Sequence, residues 1–145
     1  MVFRGHFDQT LDAKNRLNVP AKLRPAFSDG LVLMKSHDAA CITIFTPEGF
    51  QSFSDKFLPR LNPMSSDYQK LTRYLAGSSF DADLDSGGRV TLNANLLAHA
   101  GIEKDVVLIG AHDRLELWAR ERWTEQEGDL PAEVAEIAQD LEHPS

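Results

Sequence analysis

The sequence repeats itself at an offset of 73 residues, and this duplication limits the possible folds more than composition does. Residues 7–23, FDQTLDAKNRLNVPAKL, align with residues 80–96, FDADLDSGGRVTLNANL, and seven of the 17 positions are identical. The same offset pairs Ile44 with Leu117 further along the chain. One copy alone is too small to bury a face of its sheet. We therefore expect two similar halves that share one core and have pseudo-twofold symmetry.

Both copies contain an Asp-x-x-x-Arg motif, from Asp12 to Arg16 and from Asp85 to Arg89. In each copy the residues before and after the motif have the two-residue period of a half-buried strand. The predicted strands cover about 3–11 and 16–19 in the first copy, and 77–84 and 89–92 in the second. The motif therefore predicts two equivalent hairpin turns.

The residues inside the two turns allow left-handed backbone conformations. Gly87 and Gly88 can both adopt the positive φ angles that tight hairpin turns use. Asn15, which aligns with Gly88, is the next best residue for such a position. We expect the two turns to have similar backbones although their residues differ.

The alternating acids of DADLDSGGR suggest a calcium loop, because such loops place ligands at positions one, three and five. A glycine at position six and a glutamate at position twelve are also required, but this chain has Ser86 and Leu92 there. In the first copy Thr10 takes the place of Asp83, so three acids are not part of the repeated design. The residues favour a structural turn over a metal site.

After its turn, each copy is predicted to continue with a short helix, two strands and a second helix. Pro20 suits the first turn of the short helix in copy one, and Asn93 is a predicted N-cap in copy two, where Gly101 ends the helix. Pro47 lies near the start of the next helix of copy one, and ARERWTEQE is its counterpart in copy two.

Two further helices are predicted from apolar spacing, one between the copies, with Ser65 or Ser66 as its cap, and one after them. The chain then divides into a first half (1–60), a linking helix (61–76), a second half (77–127) and an acidic C-terminal helix or tail (128–145). The expected fold class is α+β with a mainly β core. Neither half buries its sheet alone, so we expect the two to close one barrel with flanking helices.

The net charge of −7 argues against a simple nucleic-acid-binding protein, but the charge is unevenly distributed. Residues 1–35 contain six Lys and Arg against three acids, residues 36–102 contain five against seven, and residues 103–145 contain four against twelve. Surface charges more than about 10 Å apart are largely screened at moderate salt. The basic leading segment is therefore able to bind DNA while the acidic tail faces elsewhere.

The sequence predicts a cytoplasmic protein that does not enter a membrane. No apolar run approaches the roughly 18 residues of a spanning helix, and the first residues lack the apolar stretch of a secretory signal. Cys41 is the single cysteine, which excludes an internal disulfide and a cysteine-based zinc site. We expect Cys41 to fill space in the core.

The chain resembles the MraZ family of bacterial transcriptional regulators over nearly its whole length. The matching segments are FRG, LDAKNRLNVPAKLR, GLVLMKSHD, YLAGSSFDADLDSGGR and GIEKDVVLIGAHDRLELWARERW. The resemblance implies a tandem pair of AbrB-like swapped-hairpin halves forming a single barrel. It also implies a homo-oligomeric ring, with an octamer favoured, that binds double-stranded promoter DNA at direct repeats. The implied target is the division and cell-wall gene cluster, which the family usually represses, so the protein would be nucleoid-associated.

Three positions depart from the family pattern: Asn15 replaces the usual Gly, Asn93 the usual Pro and Leu97 the usual Arg. The second copy is therefore poorer in basic residues than the first. In addition, Asp81 and Asp83 add negative charge near Arg89. The first copy is the better candidate for the DNA-reading surface.

Arg16 is the leading candidate for DNA contact, because a guanidinium can grip a phosphate or pair with guanine in a fork geometry. Lys14 and Arg4 are candidate phosphate contacts, and Lys22 and Arg24 on the short helix could add to the same face. Two alternatives stay open: Asp12 and Arg16 only brace the turn, and the other four cations are ordinary solvated charges. The predicted DNA-binding set is Arg16, Lys14, Asp12, Arg4, Arg89 and Asp85.

Two other function classes fit the residues less well. The five histidines show no ligand spacing, and the sequence has neither a nucleophile elbow nor a phosphate-binding glycine loop, so neither an enzyme nor a cofactor is expected. Asp12 and Asp85 could form a carboxylate pair, but the adjacent arginines neutralise them. The nearer alternative is an AbrB-like antitoxin, which binds both DNA and a toxin protein. Such antitoxins usually have one half per chain and a disordered tail.

Overall fold

The computed structural model describes residues 2–143. Met1 and residues 144–145, the end of the predicted C-terminal segment, lie outside the described residues. The strands are β1 (His6–Thr10), β2 (Arg16–Asn18), β3 (Leu31–Lys35), β4 (Ile42–Phe45), β5 (Ser79–Ala82), β6 (Arg89–Thr91), β7 (Asp105–Gly110) and β8 (Leu115–Ala119). The α-helices are α1 (Pro47–Asp55), α2 (Ser66–Gly77), α3 (Ala94–Ala100) and α4 (Arg120–Glu142), and 3₁₀-helices cover Ala21–Phe27 and Leu58–Arg60.

The two copies of the repeat fold into equivalent elements, as the sequence predicts. β1, β2 and β4 correspond to β5, β6 and β8 at the 73-residue offset, and α1 corresponds to the start of α4. β3 and β7 correspond at an offset of 75, because two extra residues precede β7 and the β3–β4 turn is two residues longer than the β7–β8 turn. The repeat is therefore structural as well as sequential.

Each copy contributes its first strand to the other copy. The antiparallel six-stranded sheet has the order β1-β7-β8-β4-β3-β5, so β1 lies on the hairpin of the second copy and β5 on that of the first. Asp8 faces Val107, and its counterpart Asp81 faces Val32, which is the same register in both pairs. The exchange intertwines the two halves, and the β4–β8 pair lies at the pseudo-twofold centre.

A second, two-stranded sheet of β2 and β6 covers the same core as the six-stranded sheet. Leu17 and Val90 are paired across this ribbon and are at most 1% exposed. They belong to one apolar cluster with Ile44 and Leu117 of the larger sheet. The pairings define a sheet with edges at β1 and β5 and a separate ribbon, so closure of all strands into one barrel stays a prediction.

The helices α1 and α2 cover the other face of β3 and β4. Phe50 and Phe53 of α1 and Leu71 and Leu75 of α2 pack in a smaller cluster with Phe45. Cys41 is fully buried, and desolvation raises the pKa of its thiol to about 12. These aromatic helices are thus core elements, and the predicted core position of the cysteine is confirmed.

Most of the predicted helix boundaries are confirmed. Ser65 caps α2 by accepting a hydrogen bond from the Tyr68 N–H at 3.1 Å. Asn93 caps α3 through the Leu96 N–H at 2.9 Å. Gly101 ends that helix in a left-handed conformation with φ of 63°.

Three local predictions differ from the structure. Gly87 does not have a positive φ, since one left-handed residue per turn is sufficient. The short helix of copy one is a 3₁₀-helix that contains Pro25, which has no N–H to donate. The two predicted C-terminal helices form one continuous helix, α4, although Pro131 lies inside it. No helix in residues 2–143 is long and apolar enough to cross a bilayer.

Candidate nucleic-acid interface

The first hairpin turn is organised around the Asp12 carboxylate. Its Oδ1 accepts the backbone N–H groups of Lys14 and Arg16, both at 2.9 Å. Its Oδ2 accepts the Nε–H of Arg16 at 2.6 Å. Asn15 completes the turn with a φ of 56°. The structure therefore shows that Asp12 and Arg16 brace the turn, and the left-handed position predicted for Asn15 is confirmed.

The second turn repeats this arrangement around Asp85. Its Oδ1 accepts the N–H groups of Gly87 and Arg89 at 2.9 Å, and its Oδ2 accepts the Nε–H of Arg89 at 3.0 Å. Gly88 has the left-handed position, with a φ of 77°. The Asp-x-x-x-Arg motif thus encodes one turn geometry twice.

The two turns lie side by side and form one surface. The Leu92 N–H donates to the Asn15 carbonyl at 2.9 Å, and the Val19 N–H donates to the Gly88 carbonyl at 3.0 Å. These two bonds are related by the pseudo-twofold symmetry and join each turn to the other copy's short strand. We call residues 12–18 and 85–91 the turn surface. A ligand that reaches one turn is therefore close to the other.

The two motif arginines have different surroundings. Arg16 also approaches the Asp85 Oδ2 with its Nη1, at 3.7 Å, so it lies between two carboxylates and is 24% exposed. Arg89 pairs with Asp85 alone through Nε and is 39% exposed. Nε makes the bracing bond in both residues, and the side chain of Arg89 is the more exposed of the two.

Arg24 is a further basic residue of this surface, and it connects the two copies. Its Nε donates to the Val19 carbonyl at 2.8 Å and its Nη2 to the Asn18 Oδ1 at 2.9 Å. The guanidinium lies so close to Gly88 that a Cβ there would overlap it. Arg24 therefore covers the turn of the other copy.

The remaining predicted contacts lie in different places. Lys14 is exposed at the tip of the first turn. Lys22 lies over the Phe7 ring, with its Nζ 5.0 Å from the ring centroid. Arg4 precedes β1 and packs its backbone against Gly110, whereas the turn follows β1, a strand about 16 Å long. The structure thus brings Arg16, Lys14 and Arg89 together but places Arg4 at the opposite end of the strand.

Hydrogen bonds keep both motif carboxylates ionised. Desolvation raises the pKa of Asp12, but bonds from the backbone and side chain of Arg16 and from the Lys14 N–H lower it below its ordinary value overall. For Asp85 the backbone bond from Arg89 is the largest cause of a lowered pKa, and it outweighs an opposing desolvation. Both acids are therefore charged partners of the arginines at neutral pH.

This geometry predicts a specific acid sensitivity. The pKa values of the two acids in the folded protein lie below the unfolded value of about 3.9, so their ionised forms stabilise the fold above that pH. The contribution is lost as the pH falls through the lowered values. We expect the melting temperature to fall more steeply between about pH 5 and pH 2 for wild type than for the Asp12→Asn, Asp85→Asn double variant. Circular dichroism melts check this, and parallel curves would contradict it.

Among residues 2–143 no group of three or more His, Cys, Asp or Glu side chains is arranged to hold a metal ion. The acids of DADLDSGGR are divided between strand and turn: Asp81 lies on β5, while Asp85 is engaged by the backbone of its own turn. Their alternation follows from the strand period. The site offers charge and hydrogen-bond donors on a surface and no enclosed cage.

The chain matches one known protein family along nearly its whole described length. The family model described as "MraZ protein, putative antitoxin-like" matches residues 2–73 and 75–141, two segments that correspond to the two copies. The chain belongs to the MraZ family. A "Transcriptional regulator MraZ" of Symbiobacterium thermophilum is 38% identical over 135 residues, which cover 91% of this chain and 96% of the relative. One from Thermoanaerobacter pseudethanolicus is 35% identical over 141 residues and 97% of each chain. A third, from Lactobacillus helveticus, is 33% identical with the same coverage.

Membership of the MraZ family agrees with the resemblance seen in the sequence, but the sequence does not reveal the contact that Arg24 makes. By sequence Arg24 is either an addition to the DNA-facing surface or an ordinary solvated charge. In the structure its guanidinium bonds to Val19 of its own copy and packs against Gly88 in the turn of the second copy. In the repeat Arg24 aligns with Leu97, and Gly88 aligns with Asn15. Ten of the 17 aligned positions also differ between the copies, so these two differences alone do not identify the contact.

Proposed function

We propose that this protein is a sequence-specific, DNA-binding transcriptional regulator that reads promoter direct repeats through its turn surface. The observation that carries the proposal is the side-by-side placement of two Asp-braced turns, which presents Arg16, Arg89 and Lys14 together. The names of the relatives support the same conclusion, since each is a transcriptional regulator. Two short braced turns that project charged side chains suit contact with the edges of a duplex.

Each residue of the turn surface has a distinct task in this proposal. Asp12 and Asp85 fix the turns and aim the arginines. Arg16 and Arg89 offer fork-shaped donors to guanine O6 and N7 or to phosphate oxygens. Lys14 contacts phosphate at the tip of the first turn and sets register without reading sequence. Because the bracing bonds exist before DNA arrives, little side-chain freedom is lost on binding.

A homo-oligomer strengthens this binding. One turn surface covers only a short DNA site, and its acids reduce its attraction for phosphate. When several subunits engage neighbouring repeats, later contacts become intramolecular, which raises the apparent affinity by about 100-fold or more if the spacings agree. A ring, with an octamer favoured, would present such repeated sites. A monomer that binds as tightly as the oligomer would contradict this part of the proposal.

The biological role that we propose is repression of the division and cell-wall gene cluster by a nucleoid-associated cytoplasmic protein that has no enzymatic activity. The experiment is fluorescence anisotropy with a duplex from the upstream promoter of that cluster and with a scrambled duplex of equal composition, each titrated with salt. We expect tighter binding to the promoter at every salt concentration, by about 1,000-fold or more at physiological salt. Equal affinities for the two duplexes would mean that the fold lacks this function.

An AbrB-like antitoxin is the second candidate, and the words "antitoxin-like" in the description of the family model favour testing it. Two features count against it: the two halves lie in one chain, and the C-terminal segment is the continuous helix α4. A toxin gene next to this gene, whose product binds the protein directly, would favour the antitoxin function.

A further inference from the structure

The C-terminal part of α4 exposes a row of large apolar side chains. The four residues are spaced by four, three and four positions, so they lie on one face of the helix. They are 41 to 75% exposed. We call this row, which is about 17 Å long, the donor stripe: Leu130, Val134, Ile137 and Leu141. A contiguous apolar row of this kind on a protein surface is typical of an interface.

The charge around the donor stripe restricts what can cover it. Residues 123–142 contain seven acids and no Lys or Arg. The charge of this segment alone, −7, equals the net charge of the whole chain. Of these acids, Glu127 is the one that accepts a side-chain hydrogen bond within residues 2–143, from Trp123 at 2.5 Å. Two such helices packed against each other would bring seven uncompensated charges from each side together. A favourable partner is apolar at its centre and basic around it.

A surface of this chemistry exists elsewhere on the same chain. The segment 56–73 contains four Lys and Arg against one acid. Met64 is 90% exposed, more than any other large apolar residue of residues 2–143, and Phe57 is 37% exposed. The 3₁₀-helix Leu58–Arg60 packs against both α1 and α2, so the elements on and beside which these residues lie are neighbours. We call this set the acceptor surface: Phe57, Arg60, Met64, Lys70 and Arg73.

The cations of the acceptor surface are free to pair with a partner. Arg60, Lys70 and Arg73 are exposed and form no ion pair with another group of residues 2–143. The basic leading segment is a poorer acceptor, because Val2 is the one large apolar residue that it exposes within residues 2–35. The length of α2, about 18 Å, also matches the length of the donor stripe.

We propose that the donor stripe of one chain binds the acceptor surface of a second copy of the same chain. The contact is head to tail, since it joins different surfaces on the two copies. Each added copy still has one surface free, so the assembly grows until a ring closes or a filament forms. The inference rests on the oligomer proposed above and specifies its contact. Its test uses no DNA, so its failure and a failure of DNA binding are distinguishable.

The test uses two variants that each remove one side of the contact. Val134→Asp with Ile137→Asp removes the donor stripe, and Met64→Asp with Arg73→Glu removes the acceptor surface. Light scattering after size exclusion is expected to show an oligomer for wild type and a monomer for each variant alone. An equimolar mixture of the two variants is expected to form a complex of two chains, because each supplies the surface that the other lacks.

Control measurements distinguish loss of this contact from a general effect of added charge or from unfolding. Val2→Asp places an acid at an exposed apolar position outside both surfaces and is expected to keep the wild-type mass. Circular dichroism confirms that each variant is folded. The proposal is overturned if wild type is a monomer or if either variant keeps the wild-type mass. It is also overturned if the mixture stays monomeric. An acceptor-surface variant that keeps the wild-type mass on its own would indicate a symmetric contact between two α4 helices.

Discussion

Replacing Gly88 with alanine is expected to lower the free energy of unfolding by about 3 kcal/mol. Gly88 has a φ of 77°, and an L residue held in this region costs about 1–2 kcal/mol. The new Cβ would also overlap the Arg24 guanidinium and displace it from the Val19 carbonyl and the Asn18 amide oxygen. Losing those two partly exposed bonds costs about 1–2 kcal/mol more. Urea unfolding measures the sum.

A double-mutant cycle separates these two causes. In an Arg24→Ala background, Gly88→Ala is expected to cost only the backbone strain of about 1–2 kcal/mol, so the two substitutions should couple by about 1–2 kcal/mol. Gly77→Ala is the matched control: Gly77 ends α2, and an added Cβ there meets nothing within 4 Å. We expect that control to be neutral or stabilising. A coupling near zero would show that Arg24 does not depend on glycine at this position.

The same contact links two of the departures that the family resemblance implies, at positions 15 and 97, as one paired change. Arg24 requires the glycine at position 88, because its guanidinium occupies the space of a Cβ. The counterpart of Arg24 in the repeat is Leu97, and the counterpart of Gly88 is Asn15. Without a guanidinium at position 97, that requirement for glycine is absent at position 15. Asn15 then needs only to tolerate its φ of 56°, which asparagine does readily.

The repeat made much of the fold predictable from the sequence. Two aligned copies predict the same elements twice, so a weak signal in one copy is supported by the other. In the second copy Asn93 and Gly101 set the limits of α3. The same limits shifted by the repeat offset of 73 residues locate the 3₁₀-helix of the first copy. The exchange of β1 and β5 followed from the family resemblance. Apolar alternation gives the face of a strand but does not identify its neighbour.

Other features needed the three-dimensional structure because they depend on contacts distant in sequence. The sequence predicts two C-terminal helices, yet α4 is one helix of 23 residues that continues through Pro131, which only lacks the N–H of one helical hydrogen bond. Arg4 is close to the motif in sequence, but the direction of β1 carries the two apart. The proximity of Arg16 to Asp85 joins residues 69 positions apart. The Asp12 brace, by contrast, was local and therefore predictable.

Arg16→Ala is expected to weaken binding to the promoter repeats by about 10- to 100-fold, the loss that one bidentate base contact represents. The effect is larger in an oligomer, because every subunit loses the contact. Arg16→Lys keeps the charge but not the fork, so it should retain binding to scrambled DNA while losing preference for the promoter. Fluorescence anisotropy with both duplexes measures affinity and preference together.

Arg89→Ala is the comparison within the same protein. Exposure favours Arg89 as the DNA contact, whereas the charge around the turn favours Arg16. Arg89 is the more exposed guanidinium, but Lys14 accompanies only Arg16, and Asp83 adds negative charge before the second turn. We expect the smaller loss for Arg89→Ala, since phosphates approach the turn with the additional cation. Equal losses would mean that both turns contact DNA equally.

A role limited to bracing the turn would give a different result for Arg16→Ala. Arg114 is a suitable control, because it is 35% exposed and pairs with Asp113 and Glu116, both outside the turn surface. Arg114→Ala should change the melting temperature without changing DNA preference. If Arg16→Ala also leaves the preference unchanged, its affinities for the promoter and scrambled duplexes fall by the same factor. Arg16 then only holds the turn, and another residue reads the bases. If only the promoter preference is lost, the exposed end of its guanidinium is the reader.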